Sequence, residues 1–404
     1  MPTAFGLLRA NRPLRALFTA RVISYGGDAL SLVALMLHVA ATTGQGVAVA
    51  LLLLVGDFVP ALTGPLAGAV ADRFDRRRVM VVCELVQAAA VLAIAIALPP
   101  LGPLLVLVGV RALAGQVFQP ASRSAVPALV GDRDLETANS AVGFGANAAE
   151  AFGPLLAAAL LPVMGVRGVL LVDAASFLVS ALVLIRVPSL PPSPSTAGES
   201  LLAQARAGLG YILRTRPVRV VALGFVAVVA CNGVDDVALV LLATETFQAG
   251  DSAVGLLLGA VGIGLLAGYA LLTRFAPAAS MTALLVGGFL VSSAGNLLTG
   301  LAWAVTAAFA VQAVRGLGLA AMDVASSTLL QRLVPAPLLG RVFGNLYGAI
   351  GIAAAVSYLG GGLLLDATDA PTTLVVAGGL GVLATAAVAI SLPRALRSTT
   401  PQSP

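Results

Sequence analysis

The segment Gly64-Pro65-Leu66-Ala67-Gly68-Ala69-Val70-Ala71-Asp72-Arg73-Phe74-Asp75-Arg76-Arg77-Arg78 decides how this chain is read. An apolar, glycine-spaced helix stops at an acid, and arginines follow before the next apolar run begins. That pattern describes one very short loop joining two membrane-spanning helices, held on the cytoplasmic side by its positive charge.

The rest of the chain agrees. Its 404 residues are 59% hydrophobic and only 10% charged, whereas soluble domains carry about 25% charged residues. The apolar excess runs over the whole length, so most of the chain belongs in lipid. The first apolar run, 14–41, is too long for the core of a signal peptide and no small-residue cleavage site closes it, so it reads as a retained first span. Every basic residue is an arginine, a bias that suits a GC-rich genome. The formal charge of +5 follows the side of the membrane and does not point to nucleic acid. Cys83 and Cys231 lack metal or redox spacing. There is no Walker P-loop, no metal-spaced His/Cys/carboxylate cluster and no nucleophile–base set, so no enzyme, cofactor or metal centre is expected.

A span needs about 20 mostly apolar residues. That ruler predicts an all-α membrane protein with twelve spans: 14–41, 47–71, 79–98, 103–122, 139–162, 167–187, 217–243, 252–274, 280–300, 304–326, 341–365 and 371–392. Arginines crowd the even-numbered loops and both ends, while the odd-numbered loops hold only Arg167. Both termini are therefore expected in the cytoplasm. The stretch Pro188-Ser189-Leu190-Pro191-Pro192-Ser193-Pro194-Ser195-Thr196 reads as an extended linker. After it, Leu201, Leu202, Ala205, Leu209 and Ile212 recur at helical spacing, with Arg206 off that face, as in a short helix lying on the inner membrane surface. A shift of 204 residues lays Arg12-Pro13-Leu14-Arg15 over Arg216-Pro217-Val218-Arg219, Arg111 over Arg315, and Leu129-Val130 over Leu333-Val334. The expected organisation is a six-helix bundle at 1–187, a cytoplasmic linker at 188–216, and a second six-helix bundle with a short tail at 217–404.

The loop of the opening segment resembles the signature of the major facilitator superfamily, G-x-x-x-D-R-x-G-R-R/K. Gly64 or Gly68, Asp72, Arg73, Arg76 and Arg77 fall on it, and Asp75 stands where that pattern most often has glycine. The D-R-x-D-R-R form is similar to a branch of twelve-helix drug:proton antiporters that includes macrolide and siderophore exporters. Arg111-Ala112-Leu113-Ala114-Gly115 resembles the family's fourth-helix motif, whose arginine is linked to proton transfer. Glu150-Ala151-Phe152-Gly153-Pro154 resembles its fifth-helix antiporter motif, with alanines in place of further glycines. Arg21, Ser24 and Asp28 with Gly27 fit a first-helix pattern of the same branch. In the family, the acid at the Asp72 position reaches the eleventh helix and latches the cytoplasmic side. A purely topogenic positive loop is the alternative. The repeat mate of this loop, Leu272-Thr273-Arg274-Phe275, has lost the acid, so any latch is expected to be asymmetric.

Ionisable residues inside spans cost several kcal/mol at the bilayer centre and usually face a cavity or a partner. At about 1.5 Å per residue, Arg111 and Glu150 come roughly 16–17 Å above the cytoplasmic helix ends, and Asp28, Asp57 and Asp173 about 21–22 Å. Arg111 and Glu150 are either a structural pair or a proton-responsive one. Asp28 is either a proton-responsive carboxylate in the cavity or a fixed partner within the bundle, and Asp57 is open to both readings. Asp173 and Asp235-Asp236 are placed nearer a solvated outer mouth. Arg315 has no obvious acid at its height and is either an anion-binding residue or a packing one; Asp323 is expected at a gate or loop contact. Arg21 and Tyr25 complete the expected cavity wall.

The resemblance implies secondary active efflux of amphiphilic drugs or secondary metabolites by alternating access, in exchange for protons, by a monomer in a bacterial cytoplasmic membrane. Siderophore export or lysophospholipid transport are the alternatives within transport. A non-transporting membrane receptor or scaffold is the alternative outside it.

Overall fold

The structure, a computed structural model, describes residues 4–43, 46–191, 200–249, 251–275 and 280–397. Residues 192–199 of the expected linker lie outside the described residues. Among those described, no strand occurs. The chain runs through α1 (Ala4–Ala10), α2 (Arg12–Thr43), α3 (Gly46–Leu53), a π-helical turn (Leu54–Phe58), α4 (Val59–Leu62), α5 (Gly64–Arg73), α6 (Arg76–Ala97), α7 (Leu101–Leu129) and α8 (Leu135–Leu184). Past the linker come α9 (Leu201–Arg214), α10 (Arg216–Asn232), α11 (Asp235–Leu241), α12 (Asp251–Phe275), α13 (Met281–Gly300), α14 (Val305–Leu333), α15 (Leu339–Ala367) and α16 (Ala370–Arg397).

Ten helices among the described residues are long and apolar enough to cross a membrane, and eleven if the pair Leu51–Leu62 and Gly64–Arg73, bent by 59°, counts as one span. The chain is thus a multi-pass membrane protein. Local chemistry sets the element ends. Pro65 opens α5, where a missing amide costs nothing. Asp75 caps α6 by accepting the Arg78 N–H at 2.9 Å. Gly165, with φ of +63° and ψ of −178°, breaks α8 between the expected spans 139–162 and 167–187, in a conformation that favours glycine.

Helices before α9 pack mainly on one another, α2 along α8 and α6 along α7 and α8; those after it do the same, α14 along α12 and α13, and α16 along α10 and α13. Each group has its own apolar core, with Leu14, Met80 and Phe118 in the first. In the second, Phe225 and Phe289 meet edge to face at 5.9 Å.

The two groups join along α5 and α15, on the arginine-rich side, and along α8 and α12. A Cβ on Gly64 would lie 2.5 Å from the Gly344 carbonyl oxygen and 2.7 Å from Gly348 Cα. Gly68 abuts Gly340 and Arg341 in the same way. Glycines four apart on both helices let main chain touch main chain.

The helix after the linker differs from expectation. Its face of Gln204, Ala205, Gly208 and Ile212 is buried against protein, across both α5 and α15, while Leu202 and Leu209 point outward. The expected apolar face is therefore split: Ala205 and Ile212 serve the protein, and Leu202 and Leu209 remain free of it. A helix this short gains more from tertiary packing than from propensity alone, so its small residues go to the seam.

Candidate functional site

Two adjoining cavities, of about 260 Å³ and about 290 Å³, are walled in common by Tyr25, Asp28, Gly56 and Arg111. The first adds glutamines, Gln87, Gln116 and Gln119; the second adds Leu32, Leu35 and Leu52. One wall can hydrogen-bond and the next can only exclude water.

Asp28 of α2 and Arg111 of α7 form an ion pair, and Arg111 Nη1 also lies 3.4 Å from Ser31 Oγ. Arg111 is thereby tied to α2, while its expected partner Glu150 has a side chain outside the described residues. The Asp28 side chain remains 40% exposed against 9% for Arg111, so the carboxylate is open to whatever enters the cavity. Arg21 does not pair with Asp28. It donates to Ser122 Oγ and to Tyr25 Oη, and its guanidinium stacks 5.2 Å from the Tyr25 ring centroid. Gln119 donates to the same phenol oxygen, so Tyr25 is held against the wall.

Asp173, expected at a solvated mouth, is fully buried. It accepts from Ser176 Oγ at 3.3 Å and packs on Gly27, beside Asp28. It lies eight residues past the Gly165 break, about 12 Å along the helix, which takes it out of reach of the surface. Glu84 of α6 escaped the sequence reading. Its side chain is fully buried, and among the described residues no hydrogen bond of ordinary geometry reaches either carboxylate oxygen. Ser24 and Ser180 are its polar neighbours, and Asp28 and Asp173 the charges that face it. The available signal was one acid inside an otherwise apolar span.

The second group corrects two further expectations. Arg315 of α14 does have an acid: it pairs with Asp235 of α11, and both residues are buried. The reason is the interruption at Gly233 and Val234 between α10 and α11, which a straight-helix ruler does not foresee. From this pair a hydrogen-bonded chain runs through Gln312 (3.3 Å from Arg315) to Thr299 (3.1 Å) and Asn296, on to Asn232 (3.0 Å) and Ser293 (3.2 Å). Its members are all buried, so this is an internal hydrogen-bonded network.

On the arginine-rich side the groups are tied together. Asp72 accepts the backbone N–H of Gly340 and of Arg341, each at 2.8 Å, at the start of α15. There the carboxylate meets the positive end of the helix dipole. Arg76 and Arg341 flank it at 3.7 Å and 3.8 Å, and Arg76 donates to the Ala336 carbonyl at 2.9 Å. Arg73 ends α5, and Arg77 reaches the Val187 carbonyl at 3.4 Å. Further in, Arg123 of α7 pairs with Asp323 of α14 at 3.1 Å and donates to Ser327 at 2.9 Å. Tyr269 Oη donates to the same Asp323 at 2.9 Å. Asn139 donates to Gln331 at 2.6 Å, and Arg332 reaches Asp132 at 2.7 Å and Glu136 at 2.8 Å.

Asp75, the departure from the signature, ties the loop to the linker through the Ser189 hydroxyl as well as capping α6. Partial burial pushes its carboxyl up, but the bonds from Ser189 and the Arg78 N–H, with Arg77 nearby, outweigh that and hold it below the usual carboxylate value. Gly153 packs directly on Ala29, bringing α8 against α2. The side chains of Asp57, Glu150, Pro154 and Asp236 lie outside the described residues.

Residues 17–244 match the sequence profile of the Major Facilitator Superfamily. An uncharacterised MFS-type transporter, YfiS, of Bacillus subtilis (strain 168) is 25% identical over 394 residues, covering 93% of this chain and 92% of that protein. Among solved structures, the human organic anion transporter MFSD10 (TETRAN) superposes with a TM-score of 0.78 at 17% identity, covering 93% of this chain and 99% of its own. A bacterial homologue of the iron transporter ferroportin, solved in an outward-facing state, gives 0.77 at 18% identity, with 94% and 99% covered.

Proposed function

The chain belongs to the major facilitator superfamily, a family of transporters and not of enzymes, and from that premise we propose that it is a proton-coupled exporter of amphiphilic small molecules. The observation that carries this reading is the Asp28–Arg111 pair in a cavity with one polar and one apolar wall. A half-exposed carboxylate held by a single arginine can exchange its partner for a proton or for a substrate cation as the cavity changes sides. The apolar wall of Leu32, Leu35 and Leu52 suits a hydrophobic body, and the glutamines beside it suit scattered hydrogen-bonding groups. Asp57 and Glu150 remain further candidates for proton coupling. Arg315 and Asp235, locked to each other, serve the frame.

In this reading twelve spans, six on each side of the linker, place both termini in the cytoplasm of a bacterial cell, with the N-terminal bundle at 1–187 and the C-terminal one at 217–404. The latched arginine-rich side then corresponds to an outward-facing state. The protein acts as a monomer in the cytoplasmic membrane. Proteoliposomes with a pH-sensitive dye inside test the proposal against a panel of lipophilic cations, macrolides and siderophores. Substrate-dependent proton movement that is lost in Asp28→Asn supports it. Substrate movement without protons would replace it with a facilitator or lipid transporter, and proton coupling unaffected by Asp28→Asn would remove Asp28 from the mechanism.

A further inference from the structure

We infer that α9 is a strap that binds anionic phospholipid headgroups and, by doing so, holds the arginine-rich side shut. The helix is joined to the spanning helix α10 by Thr215 alone, which fixes it at the level where that span leaves the membrane. Its inner face is anchored on both groups of helices. Gly208 abuts Arg341 and Asn345 of α15, and Asn345 Nδ2 donates to the Ala205 carbonyl at 3.2 Å and to the Arg341 carbonyl at 2.8 Å. Arg341 is the residue whose N–H meets Asp72, so the strap lies one residue from the latch. On the opposite side α9 packs along α5.

The outer face has a chemistry of its own. Leu202, Leu209 and Leu213 are 52%, 47% and 46% exposed and sit on one side of the helix, at spacings of seven and four residues. Arg206 stands among them and Arg214 beside them, both exposed, and Arg216 follows at the start of α10. No acid occurs in α9. Leucines flanked by arginines, on a helix without an acid of its own, fit the boundary between acyl chains and anionic headgroups, not water.

Because the inner face spans α5 and α15, α9 is complete only while those helix ends lie together. A ligand shifts an equilibrium by its differential affinity for the two states. A charged lipid surface that binds the assembled strap therefore favours the closed side. The inference rests on the proposed membrane orientation only for which leaflet supplies the lipid. A nanodisc offers the same lipid on both faces, so its result does not depend on that orientation.

The test uses the full chain carrying Cys83→Ala and Cys231→Ala, with spin labels at Arg78→Cys and Arg394→Cys, exposed positions on the two groups. Distance distributions are measured in nanodiscs of phosphatidylcholine alone and of phosphatidylcholine mixed equally with phosphatidylglycerol. The short-distance, closed population rises relative to the open one by about fivefold in the anionic lipid, the factor that one arginine near such a surface supplies. High salt reduces the rise, and Arg206→Gln with Arg214→Gln removes it. Leu209→Gln weakens it with the arginines intact. Equal distributions in the two lipids would overturn the inference, as would a lipid effect that survives the double arginine substitution.

Discussion

Asp235, the partner of Arg315, stands three residues beyond Asn232, the residue that repeats Asp28 at the offset of 204. The repeat thus keeps an arginine in both bundles but moves its acid by about one helical turn. The mate of Asp235 is Ser31, which Arg111 contacts as well, so both arginines address the same patch of their partner helices. What differs is access: Asp28 is half-exposed, while Asp235 is buried in a hydrogen-bonded network.

Asp28→Asn and Asp235→Asn should therefore fail differently. Removing the charge of Asp235 leaves Arg315 buried without a counter-charge, a loss of about 3–5 kcal/mol that a thermal melt in detergent reads directly. Asp28→Asn also takes the counter-charge from a buried arginine, but in a pair that opens on the cavity, so its melting loss should be smaller and its loss of proton movement in liposomes complete. Equal melting losses in both would show that the Asp28 pair is also structural.

Asp72→Asn keeps the shape of the latch and removes its charge. Charge-assisted bonds to the Gly340 and Arg341 amides contribute about 1.5–3 kcal/mol. Thiol probes placed on the arginine-rich side should react faster in this variant. Unchanged reactivity would mean that the glycine seam alone keeps the side closed.

Glu84→Gln tests a buried carboxyl that forms no ion pair among the described residues. An ionised group there would carry a large desolvation cost, so the neutral amide should leave the melting temperature equal or raise it. A clear fall in melting temperature would show that the acid has a partner that only a carboxyl can satisfy.

Asp75→Ala should cost about 1 kcal/mol, the usual value of a lost helix N-cap. Since the folded state holds this carboxyl below its ordinary value of 3.8, the stabilisation is complete above that value. It fades as the pH falls through the lowered folded value. Asp75→Asn should retain most of the cap while losing this acid dependence, which melts at a series of low pH values would reveal.

Much of this was legible in the sequence. Hydropathy marks apolar runs because lipid imposes length and composition, and the loop from Asp72 to Arg78 declares itself by charge. Asp323, expected at a gate or loop contact, pairs with Arg123 of the other group, and its place near a span end limits its choices. The pairing of Arg315 with Asp235 was not legible, because it depends on how the chain resumes after a break that Asn232-Gly233 marks only as a turn. Asp173 and Glu84 escaped for a related reason. Depth along one helix can be counted from the sequence, but which neighbouring helix covers a side chain cannot.

The glycine seam between α5 and α15 also bears on how the protein can move. Bare main chain on both sides means that parting them frees no interlocked side chains and re-forming them demands no choice of rotamer. The seam behaves as a smooth bearing, and the bolts are the polar contacts beside it, among them Asp72 with the start of α15, Arg123 with Asp323, and Arg332 with Asp132 and Glu136. Exchanging a bolt can then retune how long the protein dwells in each state while the track along which it moves stays as it was.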